Sequence, residues 1–404
     1  MSEDKGGGKV RKSTNRIIVS GRALLIVLCC ALLAVPAGAP SANAASGPPI
    51  KIGVSLPLTG DNAATGQKAL NGARLAVNQV NAKGGILGRQ MQVVEGDDQC
   101  DPKQSSNVAQ KFASERVIAL ASHYCSGAAL AALPIIRESQ MLYIDIAAVS
   151  SKLPAAGYDR YFTVMYNGGQ PGQFTARLMK EKLGVKTVVV LDDKTPANTE
   201  FVDGFVATAQ AQGGPQVIFR DHIAQGDKDF SAFVTKLKGS NAHAIYAVCY
   251  YPECGLLIRQ MREQNLKIVF AGTDSLLDPA YVKIAGEDSA EGSLIITQPG
   301  ADELPTAKQF VADYKKSFPG SEPGNVGAYS YDAVWVIAKA YTAVGKVDNG
   351  AAAKWLHGLT RADAIQGATG KLFWQPNGTI TEFFFSTYRV HNGDFQFAKD
   401  LVMK

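Results

Sequence analysis

The 404 residues are 46% hydrophobic and 19% charged, and 41 basic against 36 acidic side chains give a net charge of +5. The length exceeds what one compact core usually holds and is enough for two. The small charge excess, with no basic tract outside the N-terminus, leaves no electrostatic footprint for nucleic acid or an anionic membrane.

At the N-terminus, Lys9, Arg11, Lys12, Arg16 and Arg22 precede an unbroken apolar run from Ala23 to Val35, followed by small residues. That is the layout of a secretory signal peptide over residues 1–44, because the run is shorter than the roughly 20 residues a membrane-spanning helix needs. Ala42-Asn43-Ala44 predicts cleavage after Ala44. Cys29 and Cys30 lie inside the apolar run, which argues against a lipid anchor. Cleavage takes six basic groups from the 41 and two acidic groups from the 36, leaving 35 and 34, a net charge of +1. No later apolar stretch is long enough to span a membrane, so the expected destination is the periplasm. Cys100, Cys125, Cys249 and Cys254 survive processing. An even number in an oxidising compartment favours disulfides, and the spacings do not suit zinc.

From Ile50 onward, short β-rich runs alternate with amphipathic stretches, the pattern of a parallel sheet with crossover helices. Strands are predicted at Ile50–Leu56, Met91–Glu95, Val117–Ala121 and Met141–Ile146, with helices over 66–82, 102–114 and 128–138. In the first helix Leu70, Ala73, Val77 and Val80 recur at helical spacing. A second series follows Tyr166, with strands at 187–191, 216–220, 244–250 and 267–271 and helices over 174–183, 198–212, 230–238 and 255–264. Beyond Gly292 come a strand at Leu294–Thr297, helices over 306–317 and 328–344, and a tail over 371–397 that reads as extended hairpins, with turn signals at Gly370, Pro376-Asn377-Gly378 and Asn392-Gly393. No Pro/Ser-rich linker separates the two α/β halves, which multiple chain crossings between them would explain. In open α/β sheets ligands bind beyond the carboxyl ends of the strands, so the loops there are where function is sought.

Three blocks occur in order and close together: Asn71-Gly72-Ala73-Arg74-Leu75-Ala76-Val77, Asn81-Ala82-Lys83-Gly84-Gly85-Ile86-Leu87-Gly88 and Asp97-Asp98-Gln99-Cys100-Asp101-Pro102. Two more follow, His123-Tyr124-Cys125-Ser126 and Tyr250-Tyr251-Pro252-Glu253. Together the five blocks resemble the leucine/isoleucine/valine-binding protein family of periplasmic substrate-binding proteins, and the resemblance covers essentially the whole mature chain. Locally, Gly84-Gly85 suits a helix C-terminus, and Asp101-Pro102 an N-cap followed by proline at the first helical position.

The resemblance implies the type I periplasmic binding fold, two doubly wound parallel-sheet lobes joined by multiple crossovers, with residues 45–166 and 298–375 in one lobe and 167–297 and 376–404 in the other. It implies a monomeric solute clamp that needs no cofactor, catalyses nothing, and hands an amino acid to an ABC permease in the inner membrane. Cys100 and Cys125 coincide with the family's disulfide; closing a loop of about 26 residues stabilises by roughly 3 to 4 kcal/mol in the chain-entropy model. Ser126 matches the serine that holds the ligand carboxylate, although a helix N-cap is its ordinary alternative. Ala148 matches the carbonyl, and Asp274 the acidic side chain, that receive the ligand ammonium; capping the segment near Leu276 is the alternative for Asp274. Tyr250 matches the pocket tyrosine.

Elsewhere the chain departs from the family. Val149 stands where a carboxylate-binding threonine is usual, leaving its backbone N–H, or Ser150 or Ser151, to substitute. Thr65 and Ala197 replace aromatic residues of the pocket, while Tyr124 replaces an aliphatic one. These exchanges weaken the case for a branched-chain ligand, because pockets discriminate single methylenes by about 1 to 3 kcal/mol and unpaired polar groups by more. Cys249 and Cys254 flank Tyr250 and form either a second disulfide or two buried thiols. Among rival functions, an enzyme would need a constellation around His123, His222, His243, His357 or His391, and no nucleophile or metal motif surrounds any of them. A sensing receptor would need an effector segment. An aromatic or aliphatic carboxylate is the main alternative ligand, and Asp274 discriminates against it.

Overall fold

The computed structural model describes residues 47–403, so the proposed signal peptide and its cleavage site lie outside the described residues. The described residues group as one compact unit. The first α/β series comprises β1 (Ile50–Leu56), α1 (Ala63–Ala82), β2 (Met91–Asp97), α2 (Pro102–Ser114), β3 (Ala119–Ser122), α3 (Ser126–Glu138), β4 (Leu142–Asp145), α4 (Lys152–Ala155) and β5 (Tyr161–Thr163). Its sheet is wholly parallel, in the order β2-β1-β3-β4-β5. Helices on both faces bury the strands on both sides, which is why Ile52, Val54 and Leu56 of β1 and all of β3 and β4 are solvent-excluded.

The second series runs α5 (Gln170–Glu181), β6 (Thr187–Asp192), α6 (Pro196–Ala211), β7 (Gln216–His222), α7 (Ser231–Gly239), β8 (Ala244–Val248), α8 (Tyr251–Glu263), β9 (Val269–Thr273), α9 (Pro279–Ala285), α10 (Glu287–Ala290) and β10 (Leu294–Thr297). The chain then returns to the first sheet with α11 (Lys308–Ser317), α12 (Gly324–Val344) and α13 (Asn349–His357), and forms a small hairpin of β11 (Ile365–Gly367) and β12 (Gly370–Leu372). It ends in the second sheet as β13 (Ser386–His391) and β14 (Asp394–Phe397), giving the order β14-β13-β10-β9-β8-β6-β7, in which only β13 runs against the other strands. The backbone thus passes between the sheets three times, over residues 164–169, 298–304 and 381–385.

Close packing fixes the first lobe. A Cβ on Gly72 of α1 would stand 2.1 Å from the Gly327 carbonyl oxygen of α12, so these helices approach backbone to backbone. Helix α2 starts as its sequence predicts, with the Asp101 carboxylate accepting from the Gln104 N–H at 2.7 Å and Pro102 in the first turn.

The tail differs from the extended hairpins expected of it. Residues 373–385 form no strand beyond a single bridge between Trp374 and Ile380. This stretch docks on β5 instead: the Trp374 Nε1–H donates to the Thr163 carbonyl at 2.7 Å, and the Thr163 N–H donates to the Gly378 carbonyl at 3.0 Å. Two of the turn signals do close two-residue hairpins: Gly370 follows the Ala368-Thr369 turn between β11 and β12, and Asn392-Gly393, both at positive φ, joins β13 to β14.

Candidate functional site

Both sheets present their strand carboxyl ends to a common cleft. From the first sheet come the loops after β1, β3 and β4; from the second, those after β6, β8 and β9. The cleft is closed by contacts that cross it. Lys68 of α1 pairs with Asp278 beyond β9 at 2.7 Å, and the Thr65 hydroxyl reaches the same Asp278 oxygen at 3.4 Å. The Tyr251 hydroxyl donates to the Asp61 carbonyl. On another side, Glu200 of α6 accepts from the Ser150 hydroxyl at 2.5 Å and the Ser151 N–H at 2.7 Å. The rings of Tyr124 and Tyr250 meet at 5.8 Å.

A cavity of about 40 Å³ remains inside, lined in part by Thr65, Lys68, Tyr124, Ala147, Asp274 and Tyr329. The structure therefore brings Thr65, Tyr124 and Asp274 to one cavity, with Tyr250 against Tyr124. Ser126, Ala148 and Val149 are buried in the first lobe's loops, at 2%, 1% and 5% exposure. Ala197 is buried near the start of α6 and is not among the cavity-lining residues.

Ser126 is not the cap of α3. Cys125 occupies that position in extended backbone, and Ser126 is the first helical residue, its hydroxyl accepting from the Ser150 N–H at 3.2 Å. The helix N-terminus beside it carries free N–H groups and a partial positive charge, a place for an anion. Asp274 opens the 3-10 turn Asp274–Leu276, and its Oδ1 accepts from the Tyr166 hydroxyl at 2.6 Å. Burial pushes its carboxyl above the ordinary value, opposed by the Tyr166 hydroxyl and by the N–H groups of Asp274 and Ser275. A cation placed against Asp274 would favour its charged form.

Buried polar groups hold the loop after β4. Asp145 Oδ1 accepts from the Ala148 and Ala147 N–H groups at 2.7 and 3.1 Å, and its Oδ2 accepts from the Tyr161 and Tyr143 hydroxyls at 3.2 and 3.3 Å. His123 Nδ1 lies 2.8 Å from the Tyr143 hydroxyl, and Nε2 lies 3.3 Å from Ser105 Oγ. With the Tyr143 proton given to Asp145, the imidazole is placed to donate from Nδ1, and its burial disfavours the charged form. Burial lowers the His123 pKa to about 3 and raises that of Asp98, bonded to Ser55 and the Cys100 N–H, to about 6. Among the described residues, neither the Ala148 carbonyl nor the Val149 N–H has a hydrogen-bond partner.

Both disulfides are formed. Cys100–Cys125 has Cα atoms 5.3 Å apart and joins the loops after β2 and β3; Cys249–Cys254, at 5.7 Å, bridges the end of β8 to α8 around Tyr250. Sequence reasoning missed Lys68, Tyr166, Asp278, Asn325 and Tyr329. Lys68 lies one helical turn from Thr65, and Asp278-Pro279 repeats the helix-start signature of Asp101-Pro102, so both carried a local signal. Among the described residues no cluster of metal-ligating side chains occurs, and no helix is long and apolar enough to cross a membrane.

The comparisons agree with this architecture. An amino acid binding protein of Pseudomonas aeruginosa is 30% identical over 348 residues, covering 85% of this chain and 90% of that one. The Leu/Ile/Val-binding protein of Escherichia coli K12 is 31% identical over 362 residues, covering 88% and 95%. A leucine-binding protein from Thermotoga maritima superposes with a TM-score of 0.79 at 28% identity, over 86% of this chain and 97% of its own. A solute-binding protein from R. palustris, solved with benzoate, shares the fold at a TM-score of 0.77 and 22% identity, over 87% and 95%. Residues 49–390 match the periplasmic binding protein family, and the chain belongs to it.

Proposed function

We propose that this chain is the periplasmic solute-binding component of an ABC importer, that it captures an amino acid between its lobes and delivers it to a permease in the inner membrane, acting as a monomer and without catalysis. The observation that carries the reading is Asp274, a carboxylate in the closed cleft whose only side-chain hydrogen-bond partner among the described residues is the Tyr166 hydroxyl. An ammonium group is the ligand feature that suits it. In this reading Asp274 and the Ala148 carbonyl receive the ammonium, while Ser126, the Val149 N–H and the start of α3 receive the carboxylate. Thr65, Tyr124 and Tyr250 meet the ligand side chain, with Ala197 behind them. The lobes comprise residues 45–166 with 298–375 and 167–297 with 376–404, and they part about the three crossovers to admit the ligand.

The names of the relatives support the solute class, since several bind leucine, isoleucine and valine. A thermal-shift screen of amino acids and organic acids tests the reading, because a ligand at a thousandfold excess over its dissociation constant adds about 4 kcal/mol of stability. At least one amino acid is expected to raise the melting temperature. Stabilisation by benzoate-like acids alone would contradict the role given to Asp274.

A further inference from the structure

Ala147, Leu277 and Val326 give the cavity an apolar side, but where Lys68 and Asp278 meet the wall is polar. Thr65, Lys68, Tyr124, Asp278, Asn325 and Tyr329 all line it. An aliphatic ligand group against such a wall takes water from these groups and returns no hydrogen bond, which costs affinity. The charges restrict the ligand further. Lys68 and Asp278 cancel one another, with side-chain exposures of 17% and 9%. In the amino-acid reading, Asp274 is balanced by the ligand ammonium and the ligand carboxylate by the start of α3. The remaining ligand group must then be neutral: a carboxylate there meets Asp278 and Asp274, and an ammonium meets Lys68.

The ion pair also has defined hydrogen-bonding capacity. Asp278 Oδ1 caps α9 through the Ala280 N–H at 2.8 Å, while Oδ2 faces Lys68 and Thr65. One of the three Lys68 N–H groups goes to Asp278, which leaves donors for a carbonyl oxygen, and Asp278 and Thr65 offer acceptors for an N–H. A carboxamide carries both complements in one planar group. We propose that the ligand is an amino acid with a side-chain carboxamide, and that Lys68 and Asp278 are the residues that select it. The proposal rests on the amino-acid reading above. Since Lys68 belongs to one lobe and Asp278 to the other, the selecting pair is complete only when the cleft closes, so closure itself reads the side chain.

Calorimetric titration of the protein with glutamine, asparagine, leucine, isoleucine, valine, glutamate, lysine and benzoate tests this. Glutamine or asparagine is expected to bind at least about tenfold more tightly than every other compound in the panel. In the double variant Lys68→Met/Asp278→Asn, where asparagine can still cap α9, the preference over leucine is expected to fall to about threefold or less. Tighter binding of leucine, isoleucine, valine, glutamate or lysine by the wild-type protein overturns the selecting role and leaves the amino-acid reading intact. Binding of benzoate alone overturns the amino-acid reading itself. A wild-type preference that persists unchanged in the folded double variant, judged by circular dichroism, overturns the assignment to Lys68 and Asp278. If the variant does not fold, the wild-type panel alone decides the ligand class.

Discussion

His123 illustrates how single buried residues shape the site without touching a ligand. It sits at φ 70°, a conformation uncommon outside glycine, and passes a hydrogen-bond chain from Ser105 through Tyr143 to Asp145, which fixes the Ala147 and Ala148 N–H groups. Holding the imidazole neutral has a pH signature. The folded pKa, about 3, is below the ordinary 6.5, so its contribution to stability is complete above pH 6.5 and is lost as pH falls towards 3. Asp98 and Asp332, both raised to about 6 by burial, act with the opposite sign: their contribution is present below about pH 4 and is lost as pH rises through 6. In His123→Asn, where asparagine tolerates positive φ, the stability deficit relative to wild type is expected to shrink by about 2 kcal/mol between pH 7 and pH 5, measured by urea unfolding. A deficit independent of pH would mean that His123 titrates normally in the fold.

Among the elements, α8 shows how covalent and local signals combine. Tyr250 caps the helix from extended backbone, Pro252 lies in the first turn, and Cys249–Cys254 ties the strand end to the helix around them. Replacing both cysteines by serine is expected to lower the unfolding free energy by about 2 kcal/mol, as the chain-entropy relation gives for so short a loop. Native-state alkylation of both thiols in the wild-type protein, with no change of urea midpoint in the variant, would contradict this. Local pattern made most elements legible: β1 and α2 occupy the residues their periodicity and caps predict. The misses have physical causes. Helix α13 begins Asn-Gly-Ala-Ala-Ala, which has little amphipathic signal, and β5 is only three residues long. Residues 373–385 look β-rich but bind the edge of β5 while crossing between sheets, a long-range contact no local pattern encodes.

At the scale of the molecule, three crossovers join the two sheets, and the proposed opening and closing would turn about them. Ser126 and Tyr250 stand within two of the ordered sequence blocks, while Asp274 lies outside all five and is reached only through the family resemblance. The pairs that close the cleft, Lys68 with Asp278 and Ser150 with Glu200, join residues on opposite lobes and were not. They become visible only when the lobes are together, which is why the polarity of the cavity wall could not be read from the chain. The central claim is that the cleft takes a zwitterion, its ammonium at Asp274 and its carboxylate at the start of α3. Calorimetric titration with the amino acid that stabilises the protein most, beside one analogue lacking the ammonium and one lacking the carboxylate, tests it most directly. The account predicts that each analogue binds at least about a hundredfold more weakly, as expected when one partner of a buried charge pair is removed. Equal affinity for the acid that lacks the ammonium would contradict it.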